Sequence, residues 1–131
     1  MSSTESSVSG AAILVADDDE DGAELLEIVL HRKGALVQKA ATGKEALDRL
    51  RTFTPQVLLL DLTLPDFDGF ELLKAIRATP GFEHTPAVAV TGRSSEHDRT
   101  KATEAGFASY VVKPFDIEAL VRLVNTLVPP V

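Results

Sequence analysis

The sequence predicts a three-layer α/β sandwich, in which a parallel sheet is covered by helices on both faces. Three observations predict it. Five short apolar runs, rich in Leu or β-branched residues, recur along the 131 residues. Stretches with helical spacing separate them. The runs are also apolar on both sides, as in VLLL at 57–60, which suits strands buried between two layers of helix. The length is that of one domain, and no internal repeat or linker divides it.

The first ten residues, MSSTESSVSG, carry one acid and no base. They read as a flexible arm and lack the cationic start of a signal peptide, so the domain is expected over residues 11–131. The first strand is the run at 11–16. Leu25 with Val29 and Leu26 with Leu30 repeat at i, i+4, giving a first helix that Gly34 would end. A second strand follows at 36–40. Thr42 and Glu45 have capping-box spacing, so a second helix opens there and continues through Ala46, Leu50 and Phe53. The third strand is 57–60, and Leu72, Leu73 and Ile76 mark the third helix. The fourth strand, 87–91, is followed by Ser95 and Asp98, again at capping-box spacing, and by Gly106 at the helix end. The fifth strand is 109–112. Ile117, Leu120, Val121, Val124 and Val128 then line one face of the last helix.

Composition narrows the function. Thirteen basic against twenty acidic residues give a net charge of −7, which repels phosphate backbones and argues against nucleic acid as a partner. Without cysteine there is no disulfide, thiol nucleophile or thiolate metal site. The longest apolar run, 11–16, falls far short of the ~20 residues a bilayer requires. No membrane association and a cytoplasmic location are the corresponding expectations.

In open α/β sheets, ligands bind beyond the carboxyl ends of the strands. Strand one ends at Asp17 and Asp18, strand three at Asp61, strand four at Thr91 and strand five at Lys113. Strand two ends in Ala40 and Ala41, which carry no chemistry. Three carboxylates together stay ionised only around a cation, and a few oxygens with room for water suit Mg²⁺. Thr91 and Lys113 supply a hydroxyl and an ammonium for phosphoryl oxygens. The implied reaction is phosphoryl transfer onto an aspartate. Taken singly, the acidic run 17–21 could favour a helix N-terminus, Asp61 could form a strand-end turn, and Thr91 and Lys113 would be ordinary surface residues. Their convergence on one sheet edge favours the functional reading.

Two other motifs share the acidic run. Asp17, Asp19, Asp21 and Gly22 match the opening of a calcium-binding loop. However, its twelfth position holds Ile28 in place of Glu, and a strand precedes it in place of a helix. A phosphatase of the haloacid dehalogenase type also uses Asp-x-Asp after a strand with a later Thr or Ser and a Lys. It resembles a larger fold with a further acidic pair, and here only Asp116 follows Lys113.

The chain resembles the receiver domain of two-component response regulators over about residues 11–128. The resemblance rests on ILVADDDED at 13–21, LLLDLTLPDFDGFEL at 58–72, AVTG at 89–92 and YVVKPF at 110–115. It implies a flavodoxin-like (βα)5 fold with strand order 2-1-3-4-5. It implies that Asp61 is the phosphoacceptor, served by a histidine kinase or histidine phosphotransfer protein. Asp18 and Asp61 would ligate Mg²⁺ directly, Asp17 through water, and the Thr63 backbone carbonyl would complete the protein ligands. Thr91 and Lys113 would bind the phosphoryl oxygens, and the Lys113–Pro114 bond would be cis. Pro65 and Gly69 match the loop after the acceptor, where Asp66 and Asp68 would be solvated or helix-capping. Tyr110 fits an aromatic switch position, turning inward as Thr91 moves toward the phosphoryl group and remodelling the face built from the fourth helix (about 95–105), the fifth strand and the fifth helix. Gly92 stands where Ala is common, and Arg93 and Thr63 flank the site at positions that tune acyl-phosphate hydrolysis. The expected role is a signalling switch acting on a downstream protein target, rather than a metabolic enzyme or an inert scaffold. Similarity to receivers of hybrid histidine kinases extends over 89–107; Met1 and the end at Val131 favour a stand-alone receiver.

Overall fold

The computed structural model describes residues 8–129. In chain order the elements are β1 (Ala12–Ala16), α1 (Glu20–Arg32), β2 (Leu36–Ala40), α2 (Gly43–Arg49), β3 (Val57–Leu60) and α3 (Gly69–Arg77). They continue as β4 (Ala87–Thr91), α4 (Glu96–Ala105), β5 (Ser109–Val112) and α5 (Ile117–Leu127). All strand pairs are parallel and the sheet order is β2-β1-β3-β4-β5, as the resemblance implies. The order reverses between β1 and β3, which opens a crevice at the carboxyl edge there.

Alternation along the strands divides the core in two. Leu14, Ala16, Leu58, Leu60, Ala87 and Ala89 pack with Ala46 of α2, with Leu72, Leu73 and Ile76 of α3 and with Ala102 of α4. Ile13, Val15, Val57, Leu59, Val88 and Val90 pack with Ala23, Leu26 and Leu30 of α1 and with Leu120, Val121 and Val124 of α5. Central strands buried on both faces account for runs such as VLLL.

Several local expectations are corrected. Residues 8–10, assigned from sequence to a flexible arm, are packed on the domain. Val8 is 2% exposed, its N–H donates to Asn125 Oδ1 at 2.9 Å, and Gly10 N donates to Gly34 O at 2.8 Å. The remainder of that arm lies outside the described residues. In α1, Leu25 is 55% exposed; the buried stripe is Ala23, Leu26 and Leu30, which recur at i, i+3 and i+7 on the face toward the sheet and leave Leu25 on the flank. The second helix ends at Arg49, so Phe53 packs from the following loop. Thr42 does cap it, accepting from Glu45 N at 3.0 Å, but Glu45 reaches back to Ala41 N rather than to Thr42. The reciprocal capping box is instead Asp68 with Glu71, opening α3. Gly34 and Gly106 follow α1 and α4 with positive φ as expected.

Candidate functional site

Register brings the four chemical strand ends together. The ladder continues one residue beyond β1 and β3: Asp17 N donates to Ala40 O and Asp61 N to Ala16 O, both at 2.9 Å. On the other side Lys113 N donates to Thr91 O at 2.8 Å. Asp17, Asp61 and Thr91 are buried and Asp18 is exposed. Oxygens of Asp17, Asp18 and Asp61 all lie within 4.8 Å of one another.

Each buried carboxylate has both oxygens engaged. Asp17 Oδ1 accepts from Asp19 N at 2.9 Å, and Asp61 Oδ1 accepts from Thr63 N at 3.0 Å. The Lys113 ammonium bridges the pair, donating to Asp17 Oδ2 at 2.6 Å and Asp61 Oδ2 at 2.9 Å. Burial pushes the Asp17 carboxyl above its usual range, more than its hydrogen bonds and the Lys113 charge pull it down. Burial also disfavours the Lys113 ammonium, but the hydrogen bonds to Asp17 and Asp61 outweigh it and hold its pKa above normal. The site is therefore a half-dry acidic pocket with one internal cation.

The donor set fits Mg²⁺. Hard carboxylate oxygens converge, one of them is open to water, and the charge excess already draws in an ammonium. The Thr63 carbonyl accepts no hydrogen bond among the described residues, so it is free for such a role. Glycine at 69 is required by close approach. A Cβ there would lie 2.6 Å from Asp61 O and from Leu62 Cα, so any side chain would push α3 off the acceptor.

The flanking residues are tied into one network. Thr91 Oγ1 accepts from Arg93 N at 3.3 Å. The Tyr110 hydroxyl donates to Arg93 O at 2.6 Å, with the Arg99 guanidinium 5.0 Å over the ring. The Arg93 side chain reaches Asp98 at 2.7 Å and Asp68 at 3.6 Å and lies 5.6 Å over the Phe70 ring. The sequence marks Arg93 by its place two residues after Thr91 but does not reveal these partners. Asp68 caps α3 as expected, whereas Asp66 caps α2, across the crevice, rather than its own helix. The Lys113–Pro114 bond is cis. No described helix is long and apolar enough to cross a membrane.

Comparison with known proteins agrees with this geometry. The model of the response regulator receiver domain family matches residues 13–125. The chain is 44% identical over 113 residues to the uncharacterized 14.6 kDa protein in the sodA1 3′ region of Leptolyngbya boryana, covering 86% of each. It is 36% identical to the transcriptional regulatory protein TrcR of Mycobacterium tuberculosis, over 88% of this chain and 44% of that protein. The chain thus spans about half the length or less of TrcR and the other named regulators it matches. Among solved structures it is similar to the chemotaxis response regulator CheY4 of Vibrio cholerae, with a TM-score of 0.85 and 28% identity over 92% of this chain and all of that one. The BeF3-activated DrrB receiver domain gives a TM-score of 0.80 at 31% identity, covering 90% of this chain and 97% of that one.

Proposed function

This chain belongs to the response regulator receiver family, a family of signalling domains that interact with histidine kinases, and on that premise we propose that Asp61 accepts a phosphoryl group. The donor is a phosphohistidine of a kinase or phosphotransfer protein. Asp61 Oδ attacks phosphorus, the P–N bond breaks as the O–P bond forms, and imidazole leaves with the bonding pair. The product is an aspartyl phosphate.

One observation carries this reading: Lys113 bridges Asp61 and Asp17 while Asp18 stands open to water beside them. Lys113 can release one carboxylate and follow the incoming phosphoryl oxygens, since its flexible stem lets the ammonium move without moving the sheet. Thr91, buried at the end of β4, offers its hydroxyl to the same group once it leaves Arg93 N. Asp17, Asp18, Asp61 and the Thr63 carbonyl would hold Mg²⁺. When bound, the ion would neutralise charge between the acids and the phosphoryl oxygens. The output is a change in the surface presented to a downstream protein, with Thr91, Arg93 and Tyr110 as the connected parts.

Incubation with acetyl phosphate and Mg²⁺, followed by borohydride trapping and peptide mass spectrometry, tests the proposal. One phosphoryl group per chain on Asp61 is expected. Labelling of Asp61→Asn at wild-type yield, or many turnovers of acetyl phosphate without a phosphoprotein, would overturn it.

A further inference from the structure

The loop that follows the acceptor is fastened at its tip to a helix that carries no chemistry of its own. Gly69 N donates to Leu62 O at 2.8 Å and Leu64 N to Phe67 O at 3.3 Å, so residues 62–69 fold into a narrow turn with Pro65 and Asp66 at the tip. Thr63 and Asp68 face each other inside it as an antiparallel bridge. The Thr63 N–H turns to Asp61 Oδ1, and its carbonyl accepts no hydrogen bond among the described residues.

Two contacts tie the tip to α2. Asp66 Oδ1 accepts from Gly43 N at 2.8 Å and Oδ2 from Lys44 N at 3.0 Å. These N–H groups begin α2 and have no partner within it; Thr42 Oγ1 serves the next, from Glu45. The Phe67 side chain packs closely against Gly43, where a Cβ would come within 2.7 Å of the ring. Hydrogen bonds from Lys44 and Gly43 hold the Asp66 carboxyl below its usual range, consistent with an ionised cap.

We propose that Asp66, Phe67 and Gly43 form a latch that fixes the Thr63 carbonyl and so sets the affinity of the acidic site for Mg²⁺. Asp66 is a positioning residue, three positions from Thr63 and outside the ligand set. The turn is short, and Pro65 fixes one of its torsions, so a shift at the tip carries to Thr63. Mg²⁺ tolerates little departure from octahedral geometry, and groups that merely orient metal ligands commonly change affinity 10-fold or more. The inference rests on the metal reading above.

The test titrates the full chain with Mg²⁺ alone, following amide NMR shifts at Leu62–Leu64, and measures hydrogen exchange of the same turn without metal. Asp66→Ala should bind Mg²⁺ about 10-fold more weakly and exchange its turn amides faster. Asp66→Asn, whose single amide oxygen can accept from only one of the two N–H groups, should fall between Asp66→Ala and wild type. Thr42→Ala removes the other cap of α2 without touching the turn, so its affinity should stay within about twofold of wild type if the latch, and not α2 stability, is what matters. Wild-type affinity in Asp66→Ala overturns the latch, as does an equal loss in Thr42→Ala. A wild-type chain that shows no Mg²⁺-dependent shift overturns the latch and the metal reading together, which distinguishes the two failures.

Discussion

Asp18 and Asp17 sit side by side in the chain yet face different solvents. Asp17 is 5% exposed and bridged by Lys113, while Asp18 is exposed. Among the described residues Asp18 makes no hydrogen bond or ion pair, only an approach to the carboxylates of Asp17 and Asp61, so Asp18→Asn should not lower stability by more than about 0.5 kcal/mol. It should still abolish Mg²⁺-dependent phosphorylation, which calorimetric titration and a thermal melt on the same sample will separate. Asp98 makes a pH prediction. Hydrogen bonds from Arg93, then Ser95, hold its carboxyl below the unperturbed 3.8. Its folded pKa is lowered, so its contribution is complete above pH 3.8 and is lost as pH falls through the lower folded value. Urea midpoints of wild type and Asp98→Asn should therefore differ at neutral pH and converge in strong acid. Asp17, Asp18, Asp61, Thr91 and Lys113 were legible in the sequence because each ends a strand, and strand ends follow from local pattern. The partners of Arg93 were not, since the guanidinium reaches Leu62 O across 31 positions and no local spacing encodes that.

At the scale of elements, helix existence was legible but helix facing was less so. The spacing in α1 allows two stripes one residue apart, and only the sheet decides between them. Leu26→Ala should accordingly cost about 2–5 kcal/mol and Leu25→Ala far less, by denaturant unfolding. The end of α2 also escaped the pattern, because Phe53 keeps helical spacing from a loop. Helix α4 is the least embedded of the helices: Ala102 is its only buried residue. Its other ties include the Ser95 cap, the Arg93–Asp98 pair, Arg99 over Tyr110 and Lys101 over Phe70. Such an element is poised to shift cheaply. Structures with and without beryllofluoride on Asp61 should show Tyr110 leaving the Arg93 carbonyl and residues 95–105 moving. Identical positions in both would contradict the switch.

For the whole molecule, the domain starts earlier than its composition suggests. Val8 is small and surrounded by Ser and Gly, so nothing local marks it as core; its burial depends on α5, more than a hundred residues away. A chain beginning at Ala11 should be about 2–3 kcal/mol less stable than one beginning at Val8, counting the side chain and its hydrogen bond. Chemical denaturation of the two truncations measures this directly.

The sheet also acts as a partition wall. The two apolar clusters share no member, and Tyr110 belongs with α2, α3 and α4 whereas its neighbour Val111 belongs with α1 and α5. Each strand speaks to one chamber with odd positions and to the other with even ones. Side chains in one chamber can be exchanged as a set without refitting those in the other, because close packing transmits volume changes only between atoms that touch. The acceptor edge belongs to the wall itself, and so is inherited intact by both. This is an architecture in which the chamber beside Tyr110 can diverge to suit new listeners while the opposite chamber keeps the framework constant.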